Sequence, residues 1–218
     1  MDNIRSAIES VVSNQVDGDV VELGVWRGGL SLYAKAVLDT LGETQRRLYL
    51  FDVFDSMSLA GYGGKDSKEF GFIALNSVAA VNNSFQRYGL LDRRVHFHEG
   101  LFNETAARFA HAARRRGDAI AVLRIDGNFY NSYQDAMYNL YELVPVGGVV
   151  IFDDIIDHVS CQVFWSDFRY DHNLTETFVK VDRGVGWFRK SSAVRIDWSK
   201  FHTSTPRGVR MADVMKPV

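Results

Sequence analysis

The sequence predicts a doubly wound α/β sheet closed by a C-terminal antiparallel hairpin. Three observations carry that expectation. Apolar runs of strand length recur along the chain and several end abruptly in carboxylate, as in Val149-Val-Ile-Phe-Asp153. These runs alternate with segments of helical spacing, the pattern of parallel strands covered by helices on both faces. Near the end, Thr177-Phe-Val-Lys-Val181 and Gly184-Val-Gly-Trp-Phe-Arg-Lys190 follow each other without an intervening helix, as two strands of a hairpin do.

Taken in order, residues 1–17 read as a helix, with Ile4, Ile8, Val11 and Val12 at roughly helical spacing. Asp19-Val-Val-Glu22-Leu is a strand, Gly24 to Gly29 a glycine-rich turn, and 30–41 a helix. Arg47-Leu-Tyr-Leu-Phe-Asp52 is the next strand. Residues 55–80 contain Ala60-Gly-Tyr-Gly-Gly-Lys65 and are too long for an ordinary connection, which marks them as a lid-like insertion. A helix over 75–88, a strand over 94–99, a helix over 104–116 and a strand over 120–125 follow. A helix over 132–143 stops at Pro145-Val-Gly147-Gly148, where the chain must turn into strand 149–152. A last helix covers 159–171 and precedes the hairpin. The tail 191–218 lacks periodicity, so it is expected to pack on a neighbouring subunit or stay mobile.

With 218 residues, the whole chain is expected to form one domain that buries about 70% of its unfolded surface. A net charge of −2 leaves no electrostatic footprint for nucleic acid. The short basic run Arg114-Arg115-Arg116 fits the exposed end of a helix before Gly117. Cys161 is the single cysteine, so no internal disulfide forms and a reducing compartment suits the chain. No signal-peptide core follows Met1-Asp-Asn-Ile-Arg, and no apolar stretch approaches membrane-spanning length. A cytoplasmic protein without a membrane partner is expected.

In open α/β sheets, ligands gather at the carboxyl ends of strands. Strands 120–125 and 149–152 would bring Asp126, Asp153 and Asp154 to one such end, three hard oxygen donors suited to Mg²⁺ or a similar divalent cation. Taken singly, each Asp is better explained as a turn or N-cap residue; the paired set favours a site.

The glycine turn narrows what else binds. Gly24-x-x-x-x-Gly29-Leu30-Ser31 has P-loop spacing, but Leu30 stands where the phosphate-binding lysine is required. Val25-Trp26-Arg27 breaks the dinucleotide fingerprint, and a bulky Trp26 opposes close approach of a pyrophosphate. What remains is Glu22 two residues before Gly24, paired with Asp52 at the tip of the next strand. Asp52 suits ribose hydroxyls, whereas Glu22 repels phosphate and tolerates a sulfonium or an amino group. That pattern points to S-adenosylmethionine, which carries no phosphate.

These residues resemble the macrocin/mycinamicin-type (TylF/MycF) sugar O-methyltransferases across about residues 19–190. The resemblance rests on Val21-Glu-Leu-Gly-Val-Trp-Arg-Gly-Gly29, Leu50-Phe-Asp-Val-Phe-Asp55, Phe85-Gln-Arg-Tyr-Gly-Leu-Leu-Asp92, Glu99-Gly-Leu-Phe-Asn-Glu-Thr105, Arg124-Ile-Asp-Gly-Asn-Phe-Tyr-Asn-Ser132 and Gly147-Gly-Val-Val-Ile-Phe-Asp-Asp154. It implies a Rossmann-like class I methyltransferase sheet, S-adenosylmethionine and Mg²⁺ as cofactors, and a homodimer or larger assembly. It also implies Asp126, Asp153 and Asp154 as metal ligands, with Asp126 as general base. Cofactor contacts are implied around Glu22, Gly24, Asp52, Gly100 and Phe102; Trp26, Ser31, Ser56, Leu101 and Asp126 complete the expected set. This chain departs from the family pattern at Asn128 and Asn131, where acids are usual, and at Gln162, where arginine is usual.

The function expected is methyl transfer to a sugar, vicinal-diol or phenolic hydroxyl of a small molecule, in natural-product biosynthesis. His158, just beyond the acid pair, stands as an auxiliary base or a passive wall. His96 and His98 share one side of a strand, more as a hydrogen-bonded or partly exposed pair than as a metal site. Tyr130 and Tyr133 are expected to pack, as are Phe164, Trp165 and Phe168. Cys161 has no partner base that would make it catalytic. Two rivals stay open: a metal-dependent phosphoester hydrolase and a non-catalytic cofactor-binding module of the same fold.

Overall fold

The computed structural model describes residues 2–54, 76–181 and 184–201. Helix α1 (Asp2–Ser13) precedes β1 (Asp19–Leu23), α2 (Gly29–Thr40), β2 (Leu48–Asp52), α3 (Val78–Arg87), β3 (Val95–Glu99), α4 (Phe102–Arg116) and β4 (Ile120–Ile125). Then come α5 (Tyr130–Leu140) with a 3₁₀ turn, β5 (Val149–Phe152), α6 (Val159–Asp171), β6 (Val179–Lys180) and β7 (Gly186–Arg189). The expected elements are all present, with ends shifted by a few residues; α4 and α5 each begin two residues earlier than their periodicity suggests. Most of the expected lid (55–75) and Ser56 within it lie outside the described residues.

The strands form one sheet in the order β3-β2-β1-β4-β5-β7-β6. Pairings from β3 through β5 are parallel, while β7 pairs antiparallel with both β5 and β6. The expected hairpin therefore closes the sheet, although β6 contributes only two residues. Central strands β1, β4 and β5 are buried along their whole length, which is why they read as continuous apolar runs. Tyr133, Met137, Phe164, Trp165 and Phe168 fill the face covered by α4, α5 and α6. On the other face, Ile8, Val11, Leu38, Val81 and Phe85 bring in α1, α2 and α3.

One expectation is corrected here. The described part of the tail packs on its own chain. Ile196 is buried in the core, its N–H donates to Glu142 Oε1 at 2.8 Å, and the rings of Trp198 and Phe201 meet Tyr138 at 5.6 and 5.1 Å. His96 and His98 are partly exposed, as expected, and they also stack: their rings lie 4.9 Å from Tyr49 and 4.3 Å from Phe51. Burial lowers the pKa of both, that of His98 to about 4, so both rings stack in the neutral form near pH 7.

Candidate active site

The sheet order reverses between β1, whose chain continues outward to β2, and β4, whose chain continues to β5. That is a topological switch point, where open α/β sheets leave a crevice. The strand ends there are laced together beyond the regular ladder. Gly100 N–H donates to Asp52 O (2.9 Å), Gly24 N–H to Phe51 O (2.8 Å), Asp126 N–H to Leu23 O (2.8 Å) and Asp153 N–H to Ile125 O (3.0 Å). The acids predicted from strand tips thus stand side by side on one edge.

Asp126, Asp153 and Asp154 each offer a carboxylate oxygen within 4.8 Å of the others, as a hard divalent cation requires. Their environment suits a cation in a second way. Burial pushes the Asp126 carboxyl up to about 8; Arg124 opposes that rise, while Asp153 and Asp154 add to it. Asp154 is raised as well, first by burial and then by Asp153. Positive charge placed among these groups removes the repulsion that otherwise favours protonation. The donor set therefore fits Mg²⁺.

Around this cluster, Arg124 is the residue to which sequence reasoning gave no role. It sits within β4, 6% exposed, and its guanidinium reaches Glu22 Oε1 (2.9 Å), Asp126 Oδ2 (3.0 Å) and Asp153 Oδ1 (2.6 Å). The available signal was a lone arginine in an otherwise apolar strand, since burying its charge demands acidic partners. Tyr133, fully buried, extends its hydroxyl to Asp154 Oδ2 at 3.3 Å. Its hydroxyl also makes Tyr133 more than a packing residue. Tyr130 OH bonds Asp167 at 3.1 Å. His158 caps the start of α6, and its N–H donates to Asp154 O at 2.9 Å. Burial raises the Cys161 thiol far above its ordinary pKa, so an inert thiol is what its surroundings support.

Most of the expected cofactor residues lie at or beside the same strand ends, with Ser56 outside the described residues. Glu22 is buried and accepts hydrogen bonds from Ser31 Oγ and Arg124, so these two expected contacts are already engaged with the protein. Asp52 Oδ2 accepts from the N–H groups of Val25 (2.7 Å) and Trp26 (2.8 Å), which fixes the glycine turn. Within that turn Trp26 adopts φ 48° and remains 52% exposed, an unusual conformation for a bulky side chain. Gly28 has φ 77° and leads into α2. On the neighbouring strand end, Gly100 has φ 132°, Leu101 caps α4 and Phe102 is buried at its first turn.

Comparisons with known proteins agree with this geometry. A family model described as macrocin-O-methyltransferase (TylF) matches residues 1–190. The 8-demethyl-8-(2,3-dimethoxy-alpha-L-rhamnosyl)-tetracenomycin-C 4'-O-methyltransferase of Streptomyces olivaceus is 36% identical, covering 89% of this chain and 75% of the relative. Demethyldecarbamoylnovobiocin O-methyltransferase of Streptomyces niveus is 34% identical over 87% of this chain and 72% of its own. Among solved structures, the O-methyltransferase NovP superposes with a TM-score of 0.78 at 31% identity, covering 88% of this chain and 79% of that one. Among the described residues no helix is long and apolar enough to cross a membrane. The chain belongs to the macrocin-O-methyltransferase (TylF) family and is an O-methyltransferase on the class I α/β sheet.

Proposed function

We propose that this enzyme transfers a methyl group from S-adenosylmethionine to one hydroxyl of a sugar or other vicinal diol on a natural product, with Mg²⁺ held by Asp126, Asp153 and Asp154. One observation carries the reading: the three carboxylates converge beside the Gly24 turn and the tip of β2, on a single sheet edge. A sugar acceptor is supported by the name of the Streptomyces olivaceus relative, a 4'-O-methyltransferase of a rhamnosyl-bearing tetracenomycin.

When bound, the ion supplies charge that lowers the pKa of an acceptor hydroxyl, and the sulfonium cofactor supplies an electrophilic methyl. The protein's own part is orientation and proton removal. Asp52 and the turn it pins place the cofactor's ribose and tail, and alignment of this kind can contribute ~7–11 kcal/mol. Asp126 receives the proton lost from the acceptor oxygen, its carboxylate kept ionised by the bound cation. His158, on the loop after Asp154, is the alternative proton acceptor. The enzyme is further proposed to work as a homodimer or larger assembly.

A phosphoester hydrolase would need cationic clamps for phosphate, and Arg124, the cation touching these carboxylates, is buried and spent on them. Calorimetry with S-adenosylhomocysteine, followed by transfer of labelled methyl to sugar-bearing acceptors, separates the readings. Binding and transfer support the proposal. Absence of binding sinks it, and binding without transfer to any acceptor favours the non-catalytic module.

A further inference from the structure

Arg124 joins three strand tips through one planar group. On β1, Glu22 is its Cα partner in the parallel register, so the two side chains rise on the same face of the sheet. Nη1 donates to Glu22 Oε1 at 2.9 Å and approaches Gly24 O at 3.4 Å, which anchors one side of the fork. Nη2 donates to Asp126 Oδ2 at 3.0 Å and to Asp153 Oδ1 at 2.6 Å, the residues that follow β4 and β5. The third acid, Asp154, is held from another direction by Tyr133.

This arrangement is a poor device for stability alone. A buried arginine pays a large desolvation cost, and well-packed apolar side chains often replace buried ion pairs without loss. The Arg124 Nε is itself buried and has no hydrogen-bond partner among the described residues. The geometry instead serves the acids, because one rigid fork fixes the separation of two carboxylates that would otherwise repel each other.

We propose that Arg124 is a positioning residue that sets Asp126 and Asp153 in metal-binding geometry before any cation arrives. The proposal rests on the metal reading above. It acts through the shape of the guanidinium as well as its charge. Lysine at this position keeps the charge but offers a single ammonium that cannot span Glu22 on one side and both acids on the other.

The test measures binding of Mn²⁺ alone to the purified protein by electron paramagnetic resonance, with folding followed by circular dichroism. Wild type is expected to bind one ion, and Arg124→Lys to bind it 10–100-fold more weakly, the usual order of effect for groups that orient metal ligands. Glu22→Gln, which loosens the far side of the fork without touching a metal ligand, is expected to weaken binding in the same direction but less. If Arg124→Lys does not fold, Glu22→Gln carries the test. Were the arginine only a counter-charge, Arg124→Lys would bind Mn²⁺ like wild type and Arg124→Met would bind it more tightly; either result overturns the proposal. Failure of wild type to bind Mn²⁺ overturns the metal reading and this inference together. Equal binding by wild type and both Arg124→Lys and Glu22→Gln overturns this inference alone.

Discussion

Gly24 stands so close to Asp126 that a Cβ on the glycine would overlap the Asp126 carbonyl oxygen, and its φ of +90° independently disfavours any other residue. The close approach lets the turn after β1 lie directly against the chain that carries the central acid. Gly24→Ala is therefore expected to push Asp126 out of line as well as to strain the turn. We expect a destabilisation of about 1–3 kcal/mol together with a loss of Mn²⁺ affinity, measured by urea denaturation and metal titration. Unchanged metal affinity in a folded Gly24→Ala protein would show that the two loops are independent.

Trp26 presents the opposite situation, a large side chain in a left-handed conformation, mostly exposed and covered on one side by Arg27 at 4.9 Å. Stability does not explain it, since relief of strain in Trp26→Gly is roughly cancelled by the greater entropy of an unfolded glycine. The expected outcome is a stability change within about 1 kcal/mol and a several-fold weaker affinity for S-adenosylhomocysteine, read by calorimetry. A silent substitution in both measurements would remove Trp26 from the cofactor site.

The acid cluster makes stability depend on pH. Asp126 titrates at about 8 in the folded protein, whereas an unfolded aspartate titrates near ~4. Between those values the folded state keeps a proton that the unfolded state has released, so stability contributed by this group falls as pH rises through the window. A cation prefers the ionised form. The rise in Tm on adding Mg²⁺ should therefore be larger at pH 9 than at pH 6, and Asp126→Asn should flatten that difference. Equal shifts at the two pH values would contradict the assignment.

On the helical side, Trp165 is fully buried, with ring centroids 4.9 Å from both Phe178 and Phe188. It ties α6 to the closing hairpin. Trp165→Ala should cost about 3–5 kcal/mol in urea denaturation. A loss below about 1 kcal/mol would mean that the hairpin is held by something else.

Much of this was legible in the sequence because the physics is local. An apolar run ending in Asp126 or Asp153 states both that the strand is buried and where it stops. Leu30 in place of a lysine rules out a phosphate loop on one residue. The partners of Arg124 were not legible, because Glu22 and Asp153 lie 102 and 29 residues away. The tail failed for a related reason: Ile196, Trp198 and Phe201 have no period, and only the distant core and the Tyr138 ring they meet give them a place. Likewise, the alternation of His96 and His98 shows which side they face but not that Tyr49 and Phe51 wait there.

Whether a divalent ion on Asp126, Asp153 and Asp154 serves methyl transfer from S-adenosylmethionine is decided by transfer of a labelled methyl group to sugar-bearing acceptors by protein stripped with EDTA, with and without added Mg²⁺. The stripped protein should transfer no methyl group and should recover when Mg²⁺ is restored, with Asp126→Ala inactive in both conditions yet still binding S-adenosylhomocysteine. Full transfer by the metal-free protein, or by Asp126→Ala, would contradict that role for the ion.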